Sequence, residues 1–235
     1  MKSSQQQLSS RGFLPKETVL EKLEKNDLFT QLSSSDPVQR SIAARCLGTY
    51  YILLAGTAER LLEHLCIEKK LYTRIEICDA LAKGDTLTVH AMIPYLNKLG
   101  NNQYRSLTDA KTSKKKCYPL PRGIIARTFG RMDLSVADIL LDNLNQKEYT
   151  GEMIDGLGYL IANNPTLQTI SNYERAKVYY LKYKTDKLFV WKFVIFSSAF
   201  PYAFVEKTLA AISKEFPEQA IQREIERTIV ISKRH

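Results

Sequence analysis

An all-α chain built from repeated helix pairs is the fold class this sequence predicts, and three observations predict it. The stretch Asp36 to Gly48, DPVQRSIAARCLG, returns in altered form as PLPRGIIARTFG from Pro119 to Gly130. Counted back from the terminal glycine, Pro37 and Pro119 fall at minus eleven, Arg40 and Arg122 at minus eight, and Ile42 and Ile124 at minus six. Ala44 and Ala126 follow at minus four, and Arg45 and Arg127 at minus three. Shared register of this kind marks an internal repeat, which decides a fold before local propensity does. Secondly, successive repeat centres at positions 48, 82, 130, 158, 197 and 230 lie 34, 48, 28, 39 and 33 residues apart, near the period of helix-pair repeats. Thirdly, apolar residues recur at helical spacing and no segment reads as a strand.

Taken in order, residues 1–11 are polar, with Gln5, Gln6 and Gln7 among serines, and residues 1–14 are expected to form a disordered tail. Residues 15–235 are expected to form a single helical domain. Pro15 to Phe29 predicts a capping helix, with Val19, Leu20, Leu23 and Leu28 near one face. Asp36 before Pro37 supplies a cap and a first-turn proline, opening a helix that carries Ile42, Ala43, Cys46 and Leu47; after Gly56 a second helix turns Leu61, Leu62 and Leu65 inward. LYTRIEICDALAKGD with TVHAMIPYLNKLG makes the second pair, and PLPRGIIARTFGRMD with VADILLDNLNQ the third. KEYTGEMIDGLGYL and a helix from about Pro165 to Lys182 make the fourth; DKLFVWKFVIFSSAF with PYAFVEKTLAAISKEF makes the fifth. A helix over Ala220 to Ile231 closes the array. The wide spacing between the second and third centres is assigned to a basic loop insertion at about 101–118, NNQYRSLTDAKTSKKKCY, polar and without periodicity.

These motifs resemble the HEAT-repeat family, in particular the short bacterial type. The residues that carry the resemblance are Asp36, Val38, Arg40, Ala43, Ala44, Leu47 and Gly48, then Arg122, Ala126 and Gly130, then Leu157 and Gly158. It covers about residues 33 to 235. Phe189, Trp191 and Phe193 depart from it, standing where small residues are usual. The resemblance implies a right-handed α-α superhelix of about five helix pairs, with second helices lining a concave face where partners bind. It therefore implies a scaffold or adaptor for a protein or peptide, and candidate contact residues on that face are Glu59, Arg60, His64, Tyr95, Lys98, Asp138, Asp142, Arg175 and Lys207. HEAT-like folds also include DNA glycosylases acting on alkylated bases, for which Asp138 and Asp142 would be the cleft acids and Trp191 an aromatic wall.

Charge admits a second partner class. The chain carries a net charge of +9 and a pI of about 9.3, which attracts anionic partners over long range. Lys111, Lys114, Lys115 and Lys116 in the insertion form the densest basic patch and the candidate loop for an anionic partner such as nucleic acid. The recurrent arginines Arg40, Arg45, Arg74, Arg122, Arg127 and Arg227 are expected to bridge neighbouring repeats through acids or carbonyls rather than grip phosphates. The mixture of tyrosines and lysines from Tyr173 to Lys192 suggests a stacking platform for single strands, but helical spacing sends about half of it into the core.

No metal or catalytic signature appears. His64 and Cys66 are two apart, on different helix faces, and Gly156 and Gly158 follow no strand and do not form a phosphate loop. No cofactor is implied. Four cysteines without a CxxC pair and no apolar leader point to a reducing cytoplasm. The longest apolar runs are short or interrupted by Lys192, so no membrane partner is expected.

Overall fold

The computed structural model describes residues 4–99, 104–112 and 123–234, the side chains of Lys111 and Thr112 excepted. Its regular structure is helical, and no strand occurs among the described residues. The chain divides into two compact units, the first over residues 4–95 and the second over the described residues from 96 onward.

In the first unit the helices are α1 (Gln5–Ser9), α2 (Lys25–Gln31), α3 (Pro37–Tyr50), α4 (Thr57–Ile67), α5 (Leu71–Leu81) and α6 (Thr86–Met92), the last running into a 3₁₀ turn at Ile93–Tyr95. Sequence chemistry sets their starts. The Asp36 carboxylate accepts from the Val38 amide at 2.9 Å, and that of Asp85 from the Leu87 and Thr88 amides at 3.0 and 3.2 Å, each satisfying an N–H that has no helical partner. Gly56, at φ 80°, turns the chain into α4. α3 and α5 lie along one another, α2 rests on α3, and α4 packs on α5 and α6. This contact is close because Gly48 and Ala80 meet: a Cβ on Gly48 would stand 2.5 Å from the Ala80 Cα.

Two expectations are corrected here. Pro15 to Phe29 is not one helix, since helix begins only at Lys25, and Val19 is 92% exposed. Nor is 1–14 a free tail over its described part, because α1 forms and Leu14 is buried. The cause is a set of side chains on the helices that capture the carbonyls of this segment. Ser41 donates to Gly12 at 2.7 Å, Arg45 to Leu14 and Pro15 at 3.0 and 2.6 Å, and the Tyr51 hydroxyl to Leu23 at 2.8 Å. The Tyr72 amide donates to Arg11 at 3.1 Å, and the rings of Phe13 and Tyr72 meet edge to face. An extended strap results, whose carbonyls are satisfied across the helices rather than along a helix of its own.

The second unit contains α7 (Leu107–Thr112), α8 (Ile124–Phe129), α9 (Ala137–Asp142), α10 (Thr150–Asn163), α11 (Ile170–Tyr183), α12 (Lys187–Ser197), α13 (Tyr202–Glu215) and α14 (Gln219–Ser232). α8, α10, α12 and α14 pack each on the next; α9 packs on α10 and α11, α11 on α12, and α13 on α14. In this unit the first helix of each predicted pair thus packs on the first helix of the next. Glycines again set the approach, for a Cβ on Gly130 would stand 2.4 Å from the Tyr159 Cβ, and one on Gly156 would meet the Ala126 carbonyl at 3.0 Å. Aromatic residues fill the interior: Tyr173, Phe193, Phe196 and Phe200 are fully buried, and Tyr180 stacks on Phe193 at 4.8 Å. The insertion is not wholly a loop, since α7 forms within it and packs on α12 and α14.

Candidate functional site

The predicted contact residues fall into three groups. Glu59 and Arg60 are exposed on α4, with Arg60 paired to Glu63 at 3.2 Å. His64 turns inward instead, its Nε2 3.1 Å from Glu68. Tyr95 is half-buried, and its hydroxyl is pushed up by burial and by Cys66, Glu63 and Glu59. In the second unit Lys98 and Lys207 are exposed, whereas Asp138, Asp142 and Arg175 come together. The Arg175 guanidinium, from α11, donates to Asp138 at 2.5 Å and to Asp142 at 2.8 Å on α9. Hydrogen bonding to Asp138 is the main reason its pKa is raised. On the same helix Ile170, Val178 and Leu181 are exposed. Lys111 belongs to α7, with its side chain outside the described residues, and Lys114, Lys115 and Lys116 lie outside them altogether.

Four of the repeat arginines are engaged by the fold. Arg40 forks onto Glu68 at 2.7 and 3.0 Å and donates to the Ser34 carbonyl at 2.8 Å. Arg45 forks onto Glu76 at 2.8 and 2.5 Å, joining α3 to α5. Arg127 lies 3.5 Å above the Tyr159 ring, and Arg227 pairs with Glu224 on its own helix. Arg74 is half-buried, its Nε without a hydrogen-bond partner among the described residues, and Arg122 lies outside them. The tyrosine and lysine platform does not assemble, because Tyr173, Tyr180 and Lys192 are core residues while Lys177 and Lys184 pair with Glu174 and Glu215.

Within the second unit a cavity of about 520 Å³ opens where helix ends meet. Thr150, Gly151 and Glu152, at the start of α10, form one wall; Lys182, Tyr183 and Thr185, at the end of α11, form another. The start of α12 closes it with Asp186, Leu188, Phe189 and Lys192, and Asn97, Tyr104, Lys147 and Glu148 complete the lining. Asp186 caps α12 through the Leu188 and Phe189 amides at 2.9 and 3.2 Å. Tyr183 and Phe189 stand edge to face at 5.8 Å, and Tyr104 meets the edge of Trp191 at 5.1 Å.

The chemically unusual feature of this cavity is an ion cluster that it touches. Lys192 is 3% exposed, and its ammonium is hydrogen-bonded to Glu152 Oε1 and lies 2.8 Å from Asp155 Oδ2. Its stem passes Gly151, where a Cβ would stand 3.4 Å from Lys192 Cδ. Burial lowers the ammonium pKa, but Asp155 and Glu152 together outweigh burial and hold it above the ordinary lysine value. Lys192 is therefore a fixed cation and not an amine nucleophile. Burial raises the Asp155 carboxyl, and Glu152 adds to the rise, while Lys192 and more weakly Arg127 oppose it. Tyr159 is pushed up to about 12, by burial first and by Asp155 second.

From the sequence, Lys192 reads as the charge that interrupts an apolar run and as one end of the tyrosine and lysine platform. A stronger signal was present: Lys192 sits among Phe189, Phe193 and Phe196 on a core-facing stripe, and Glu152 and Asp155 are spaced by three on one helix face. A lysine on such a stripe requires a buried counter-ion.

Among the described residues no cluster of three or more metal-ligating side chains occurs, and no helix is long and apolar enough to cross a membrane. No protein-family model, curated protein or solved structure matches the chain.

Proposed function

We propose that the chain is a HEAT-like scaffold, an α-solenoid whose second helices line a concave face that takes a protein or peptide. The observation that carries this reading is the surface of α9 and α11. There Arg175 is held by Asp138 and Asp142, and the same helix exposes Ile170, Val178 and Leu181. A surface for phosphates leaves its cations free and aligned, whereas mixed charge beside apolar side chains suits a peptide. Packing of α3 on α5 in the first unit, and of α8, α10, α12 and α14 each on the next in the second, supports the solenoid element of the reading.

A second reading, a nucleic-acid binder with glycosylase activity on alkylated bases, draws on the net charge of +9. The acids it needs, Asp138 and Asp142, are both engaged by Arg175. Two assays separate the readings. Labelled duplex and single-stranded oligonucleotides, followed by fluorescence anisotropy across a salt series, are expected to bind only at low salt. Peptides selected by display on the full chain are expected to lose binding to the double variant Val178→Asp, Leu181→Asp. Oligonucleotide binding that persists at about 0.15 M salt, with peptides indifferent to that variant, overturns the scaffold reading.

A further inference from the structure

We propose that the face formed by α3 and α5 is a second recognition site, independent of the surface on α9 and α11. It takes a partner segment that presents glycine, an aromatic residue and leucine in that order, and residues 11–15 of the chain are a removable latch that holds it closed.

The latch shows what the site reads. The Tyr72 amide, in the first turn of α5 and without a helical partner, donates to the Arg11 carbonyl at 3.1 Å. Gly12 has φ 80°, where its amide and that of Phe13 close the end of α1 on the Ser9 and Leu8 carbonyls. Beneath it lie the buried hydroxyls of Ser41 and Thr73; Ser41 donates to the Gly12 carbonyl at 2.7 Å, and a Cβ on Gly12 would stand 2.3 Å from Thr73 Oγ1. Only glycine fits that position. Phe13 meets the Tyr72 ring edge to face at 5.1 Å, Leu14 is buried, and Arg45 takes the carbonyls of Leu14 and Pro15.

Two observations make the latch removable. Of residues 4–24 only Gly12 and Leu14 are buried, so little apolar area holds the segment, as in regions that open locally. The site also keeps its shape without it. Ser41 and Thr73 reach the Pro37 carbonyl at 3.0 and 3.1 Å, and Arg45 forks onto Glu76 at 2.8 and 2.5 Å. A preformed site spares a ligand the cost of ordering it. Through the exposed linker beyond Pro15 the latch competes at an effective concentration on the order of 1 mM.

The test titrates the full chain with a labelled peptide of residues 4–17, SQQQLSSRGFLPKE, read by anisotropy and by the backbone amide shifts of Ser41, Arg45, Tyr72 and Thr73. Two full-chain variants open the latch, Gly12→Val by collision with Thr73 and the double variant Phe13→Ala, Leu14→Ala by loss of its anchors. Both are expected to keep the helical far-ultraviolet spectrum and to bind the peptide at least about tenfold more tightly than the wild type, whose site is open for a tenth of the time or less. The Gly12→Ala peptide is expected to bind the opened variants at least about tenfold more weakly than the parent peptide, as a collision in a tight contact requires. Adding Tyr72→Leu to an opened variant is expected to weaken binding several-fold. The proposal is overturned by opened variants that fold but do not bind, by equal affinity for the glycine and alanine peptides, or by equal affinity of wild type and opened variants. Loss of the helical spectrum in both opened variants overturns it too, since the segment is then part of the core. Peptide binding that falls when Val178→Asp, Leu181→Asp is added to an opened variant assigns the peptide to the other surface and likewise overturns it.

Discussion

Gly48 faces the backbone of Ala80 so closely that a Cβ on the glycine would stand 2.5 Å from the Ala80 Cα. Helix α3 therefore reaches α5 at a distance that only glycine permits, and a methyl group there must force the helices apart. Gly48→Ala is expected to destabilise the protein by about 1–3 kcal/mol, as overpacking of a tight contact does. Gly158→Ala is the matched control, since its Cβ would meet Phe196 at an ordinary 3.5 Å; the better helix former is expected to stabilise by about 0.5–1 kcal/mol. Urea denaturation of both variants checks the pair, and equal effects would refute the contact.

Glu68 couples stability to acid. Burial pushes its carboxyl up, but hydrogen bonds from His64, Arg40 and the Lys70 amide outweigh burial and hold it well below the ordinary 4.5. Because the folded value lies below the unfolded one, the stabilisation is present above about pH 4.5 and fades as pH falls further. Glu68→Gln removes one partner of a buried pair and is expected to cost about 3 kcal/mol at pH 7. Thermal melts from pH 7 to 3 should show the gap between variant and wild type closing. A gap that stays constant with pH would rule out this linkage.

The cluster around Lys192 has the opposite sign. Asp155 is raised from 3.8 to about 6, so its contribution is fully present below about pH 4 and is lost as pH rises through 6. Asp155→Asn is accordingly expected to gain on the wild type between pH 4 and pH 7, by the same melts. Lys192→Met leaves buried Glu152 and half-buried Asp155 without their shared cation and is expected to cost about 3–5 kcal/mol at neutral pH, less in acid.

Arg175 lies at the surface, about a third exposed, between two carboxylates that are largely exposed. Arg175→Ala is expected to change stability by under about 1 kcal/mol, with the difference shrinking as salt is added. Peptides selected on the wild type should nevertheless bind the variant differently, because Asp138 and Asp142 then lose their counter-ion. Unchanged peptide affinity would place recognition elsewhere.

How much of this was legible beforehand differs between fold and site. The helix order could be read because its signals are local: Asp36 as a cap, Gly48 and Gly130 as the ends of repeated motifs, and apolar residues at helical spacing between them. The strap over residues 10–24 was illegible, because Val19, Leu20 and Leu23 have helical spacing while the partners that hold their neighbours extended, Ser41, Arg45, Tyr51 and Tyr72, belong to helices further along the chain. Local propensity is weak against several such captured carbonyls.

The sequence by itself determined the helix pairs, their order and the small residues that let them meet, since each rests on periodicity within a few turns. Only the tertiary structure decided which polar groups share a site. Glu152 and Lys192 are 40 residues apart, and Arg175 lies 37 and 33 residues from Asp138 and Asp142. No periodicity connects such positions. They meet because α9, α10, α11 and α12 pack together, and burial then fixes which charges must be paired.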